Sequence, residues 1–132
     1  MQIYSFLLVL IILIFNYIIM NFEKIKDAII SFRDDRDWKQ FHNPKDLATA
    51  IAIESSELQE KFLWKSQEES YSIWKDDIEV HEEFADIMNF MILFAEECNI
   101  DIEKVMMDKI EKNNKKYSVE KAKGSCEKYN KL

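Results

Sequence analysis

The sequence predicts an all-α fold of four helical segments, and three observations carry that expectation. The chain has 132 residues but one glycine, Gly124, and one proline, Pro44. So few turn-formers do not build a β-sandwich or barrel, nor the Gly-rich phosphate loops of Rossmann and P-loop folds. Hydrophobic residues make up 48% and charged residues 33%, proportions of a folded domain and not of a disordered tail. Apolar residues also recur at spacings of three and four, the period of a helix with one buried face. The length suits one domain.

Residues 1–20 carry no charge, and Ile3 to Met20 is apolar apart from Tyr4, Ser5, Asn16 and Tyr17. A helix over that run spans about 27 Å, just short of a bilayer core of roughly 30 Å. It lacks the basic start and small-residue cleavage site of a signal peptide. Two readings stay open. The segment is a membrane anchor, with Lys24, Lys26, Arg33 and Arg36 keeping the domain on the cytoplasmic side, or translation starts at Met20. Either way the domain belongs in the cytoplasm, and a membrane is a partner only if residues 1–20 are real.

The first helix is expected from Asn21 to Asp37, with Phe22, Ile25, Ile29 and Phe32 on one stripe. Asn43-Pro44 with Asp46 reads as a helix start, Asn as the cap and Pro at the first helical position. This second helix should reach about Trp64, followed by a polar loop from Lys65 to Ser72. A third helix is expected from Lys75 to Cys98, ended by Asn99. Asp101 caps a fourth that runs to Lys116. Tyr117 to Leu132 reads as a polar tail. The expected division is therefore an apolar segment 1–20, a domain 21–117 and a tail 118–132.

Cys98, Cys126, His42 and His81 lack zinc-site spacing and read as reduced thiols and ordinary imidazoles. The net charge of −7 opposes binding to a nucleic-acid duplex. It leaves room for a phosphate ligand bridged by a divalent cation.

The informative acids are those standing where an apolar residue belongs. Seven residues return a helix to within about 20° of the same direction. Glu54 lies seven after Leu47 and Glu57 seven after Ala50, so both continue the apolar face of the second helix. In the third helix Asp86 and Asn89 are embedded in the run from Phe84 to Ala95, and Glu83 sits at its entrance. Four carboxylates facing inward repel, by roughly 4 kcal/mol for two charges about 4 Å apart at an effective dielectric near 20. No interior Lys or Arg matches them, and a hard divalent cation is the economical offset. A single such Glu is more often a solvated surface residue, with Glu57 paired to Lys61. Two interrupted apolar faces favour a metal site. A di-iron centre is excluded, because it needs Glu-x-x-His on two helices.

Residues 38–64, from Trp-Lys-Gln-Phe-His-Asn-Pro through Glu54-Ser-Ser-Glu57 to Phe62-Leu-Trp64, followed by Glu83-Phe-Ala-Asp86, resemble the MazG-like all-α nucleoside triphosphate pyrophosphohydrolases. Within that family they are most similar to the dCTP pyrophosphatase branch. The resemblance covers about Asp35 to Tyr117. It implies a MazG-like helical bundle completed by self-association as a homodimer or homotetramer. It implies Mg2+ or Mn2+ held by Glu54, Glu57, Glu83 and Asp86, with Glu54 or Glu57 as the catalytic base. It also implies a nucleotide pocket lined by Trp38, His42 and Trp64. Phe90 stands where the dCTP branch has a substrate-contacting Tyr. Lys109, Asn113, Lys115, Lys116 and Tyr117 match a basic cluster that reaches phosphates. On spacing alone the tryptophans equally suit a core or interface, His42 a loop, and the lysines a solvated helix end favoured by the macrodipole.

The implied reaction converts a nucleoside triphosphate, dCTP or a related pyrimidine dNTP, to the monophosphate and pyrophosphate. The alternatives are another triphosphate (dUTP, a modified dNTP or phosphoribosyl-ATP) or a non-catalytic helical interaction module tethered to a membrane.

Overall fold

Helix α1 opens the computed structural model, which describes residues 22–131, and covers residues 22–34. A 3-10 turn, Trp38–Phe41, leads into α2, Pro44–Lys61. Then come α3, Gln67–Asp76, and α4, Ile78–Glu97. Helix α5 is Ile102–Lys116 and α6 is Val119–Ala122. All regular structure among the described residues is helical, as the scarcity of Gly and Pro predicts. The apolar segment 1–20, and with it the anchor reading, lies outside the described residues. Among those residues no helix is long and apolar enough to cross a membrane.

The expected start of α2 is in place. The Asn43 side chain accepts a hydrogen bond from the Asp46 N–H, and Pro44 opens the helix without losing a bond. Asn99 adopts a left-handed φ of 51° after α4, and Asp101 caps α5 by accepting from the Lys104 N–H. Three boundaries differ from the expectation. Helix α1 stops at residue 34, and Asp37 turns left-handed at φ 54° before the 3-10 turn. Helix α2 ends at Lys61, with Trp64 at φ 63°. The stretch read as a loop from Lys65 is mostly helix. Ser66 and Glu69 form a reciprocal capping box that nucleates α3, and extended Asp77 separates it from α4.

The chain divides into two compact units, one ending at Glu97 and the other starting at Cys98. In the first, α2 packs along α4, α3 lies against α4, and Lys26 of α1 pairs with Glu96 of α4 at 3.3 Å. The core is small: Leu47, Val80, Ile92, Leu93 and Ala95, with Leu47 at 1% exposure. Burying each large member contributes about 2 kcal/mol. Among the described residues one charged side chain, Arg33 at the end of α1, is also buried. In the second unit, Tyr117 meets Tyr129 edge-on at 5.9 Å, and the Lys116 ammonium lies 5.1 Å from the Tyr129 ring.

Candidate functional site

Because α2 packs on α4, the two interrupted apolar faces meet. Carboxylate oxygens of Glu54, Glu57 and Glu83 all lie within 4.8 Å of one another. Glu54 and Glu83 are half-buried and Glu57 is exposed. Asp86, one turn beyond Glu83, is exposed and shares a cavity wall with Glu54. The expected quartet of inward acids is thus two half-buried and two exposed ones, since one face of this helix pair is left uncovered.

The Glu54 carboxyl is pushed above its ordinary value, first by burial and then by the charges of Glu57, Asp86 and Glu83. The cation beside them does not relieve this. Lys61 pairs with Glu79 of α4 instead of Glu57. Such a cluster of carboxylate oxygens with uncompensated charge suits a hard divalent cation.

A cavity of about 610 Å³ opens next to the acids, within the size range of small-molecule sites. Glu54, Asp86, Asn89 and Phe90 line it from α2 and α4, and Trp38 and His42 from the 3-10 turn and its exit. Helix α1 supplies Ile25, Ala28, Ile29, Phe32 and Arg33. Trp38 meets Phe32 edge-on at 5.8 Å, and the Arg36 guanidinium caps the Phe32 ring at 3.6 Å. His42 is half-buried, and its Nδ1 is buried without a hydrogen-bond partner. Burial, then the charge of Arg33, holds the imidazole below its ordinary value, so it is neutral at pH 7.

Of the residues singled out from sequence, Glu54, Glu57 and Glu83 come together, and Asp86, Trp38, His42 and Phe90 gather with Glu54 around the cavity. Trp64 lies outside that lining and is 92% exposed. Lys109, Lys115, Lys116 and Tyr117 are exposed and Asn113 half-buried, all in or just after α5 in the second unit. Sequence reasoning passed over Arg33, read only as a charge following the apolar segment. No local pattern marks one Arg of a charge-rich stretch as buried. Asn89 was visible as a polar residue within an apolar helix.

Residues 49–132 match the MazG-like family, and the chain belongs to it. It is 34% identical over 113 residues to dCTP pyrophosphatase 1 of Rattus norvegicus, covering 83% of this chain and 66% of that protein. The figure for dCTP pyrophosphatase 1 of Homo sapiens is 31% over 113 residues, with the same coverage of 83% and 66%. The chain therefore spans about two thirds of the length of these relatives. A pyrophosphatase structure from Archaeoglobus fulgidus superposes with a TM-score of 0.70 at 35% identity, covering 74% of this chain and 93% of that one.

Proposed function

We propose that the chain hydrolyses a pyrimidine deoxynucleoside triphosphate, dCTP or one like it, to the monophosphate and pyrophosphate. The observation that carries this reading is a three-carboxylate cluster bordering a cavity of nucleoside size. The named activity of relatives covering most of the chain supports it.

Glu54, Glu57 and Glu83, with Asp86 beside them, would hold Mg2+ or Mn2+. Such an ion, when bound, neutralises phosphate oxygens and makes a bound water more acidic. The chain's own residues do the rest. Glu54, the member of the cluster that also lines the cavity, is proposed as the proton acceptor, with Glu57 beside it as the alternative. Trp38 and Phe90 offer aromatic faces for a base, while Asn89 offers a polar group in the same wall. Lys109, Asn113, Lys115, Lys116 and Tyr117 are proposed phosphate contacts. Trp64, exposed in the single chain, is proposed to stack on the nucleotide.

Exposed Phe84, Met88 and Met91 on α4 leave an apolar face that supports self-association as a homodimer or homotetramer. The domain is proposed to work in the cytoplasm, where dNTPs and Mg2+ are abundant. The test is pyrophosphate release from dCTP, dUTP, dTTP and phosphoribosyl-ATP, with Mg2+ and with chelator. Mg2+-dependent release from dCTP supports the reading. Release from none, with no Mg2+-dependent thermal shift, leaves a helical interaction module.

A further inference from the structure

Among the described residues Arg33 is the one buried charged side chain, at 2% exposure. Its guanidinium bonds through Nε to Asp34 at 2.7 Å, and Asp34 is its own neighbour with a half-exposed side chain. Among the described residues the two Nη groups donate to no side chain or backbone oxygen. Those Nη groups are not sealed away from solvent: Arg33 lines the cavity, where a ligand can accept from its guanidinium. It does so together with apolar Ile29, Phe32 and Trp38 and with neutral His42. The carboxylates that act on Glu54 come from α2 and α4, whereas the charges that His42 feels are Arg33 of α1 first and Glu97 of α4 after it. The cavity thus has an acidic wall, suited to a cation and phosphates, and an apolar wall with one guanidinium, suited to a base.

We infer that Arg33 is a specificity-determining residue, reading two adjacent hydrogen-bond acceptors on the edge of the nucleotide base. This rests on the nucleotide reading above and narrows it. A guanidinium fork matches two parallel acceptors. Cytosine offers them as O2 and N3. Uracil and thymine carry a hydrogen on N3, which sets donor against donor. A protein lacking the fork keeps the apolar slot and loses the discrimination.

The experiment compares the full chain with Arg33→Lys, which keeps the charge without the fork, and Arg33→Gln. Wild type should prefer dCTP over dTTP in kcat/KM. Both variants should lower that ratio by about tenfold or more, the scale of one bidentate base contact. An unchanged ratio overturns the inference. Binding of dCMP and dTMP by calorimetry reads base preference without turnover, so an absence of hydrolysis counts against the proposed reaction and not against Arg33. Should the variants fail to fold, wild type alone decides. A 3-deaza analogue of dCMP, which lacks the N3 acceptor, should bind about tenfold more weakly than dCMP, and equal binding overturns the inference.

Discussion

Lys61, in the last turn of α2, pairs with Glu79 in the first turn of α4 and not with Glu57 one turn back along its own helix. Its ammonium also feels Asp77 and Glu83. Glu79 therefore holds a cation beside the carboxylate cluster without letting it neutralise the cluster. Replacing Glu79 by Gln should release Lys61 toward Glu57 and Glu83, where it competes with a divalent ion. The apparent Mg2+ requirement for turnover should rise by about threefold. Stability should change little, because the Glu79 end of the pair is exposed. A Mg2+ titration of activity and a thermal melt check both.

Glu54→Gln and Glu57→Gln should each abolish Mg2+-dependent turnover while the helical fold survives. Removing one charge from a repelling cluster should leave the metal-free protein equally stable, or more stable by about 1 kcal/mol or less. Mg2+ should raise the melting temperature of wild type, and chelation should return it to the metal-free value. Neither variant should show that shift. Retained activity in Glu57→Gln would remove the site.

How much of this was legible from residues alone follows from where each signal resides. Helix α2 was readable because Asn43, Pro44 and Asp46 act locally, through a cap bond and a fixed φ. Asn99 and Asp101 likewise declared the turn between α4 and α5. Helix α3 was missed although Ser66 and Glu69 spell its capping box, since its polar composition reads as loop until the box is weighed. The acids of α2 and α4 were readable because they break a period. Arg33 was not, since it is buried at 2% exposure while nothing in the charge-rich pattern of its own helix marks it out.

His42 sets a pH dependence whose sign is determined. Burial and Arg33 depress the folded-state value below the ordinary 6.5. The unfolded chain therefore binds a proton more readily in the window just below 6.5, and stability is lost as the pH falls through it. His42→Gln should remove this component. Melting temperatures from pH 7.5 to pH 5 should then decline less steeply in the variant than in wild type. Parallel curves would show that the imidazole is not held neutral by the fold.

Phe90 lines the cavity, at the position where the resemblance to the dCTP branch implies a Tyr. Phe90→Tyr adds one hydroxyl to a half-buried wall. If it reaches the sugar or base, one hydrogen bond worth about 1 kcal/mol should raise kcat/KM for dCTP by about fivefold. If it finds no acceptor, the cost of desolvating it appears in the melting temperature instead. Measuring both quantities on the same preparation separates the two.

Trp64 holds a left-handed φ of 63° with 92% of its surface in water. A bulky L-residue in that region costs about 1–2 kcal/mol, which glycine largely avoids. Within a single chain the indole returns little of this through packing. Trp64→Gly should therefore stabilise an isolated chain, by about 1 kcal/mol once the extra freedom of unfolded glycine is counted. Strain kept at an exposed aromatic is the pattern of a functional contact, so the same variant should bind dCMP more weakly. A denaturant melt at low protein concentration and a dCMP titration read the two effects. A loss of stability at high concentration alone would place the indole in a contact between copies of the chain.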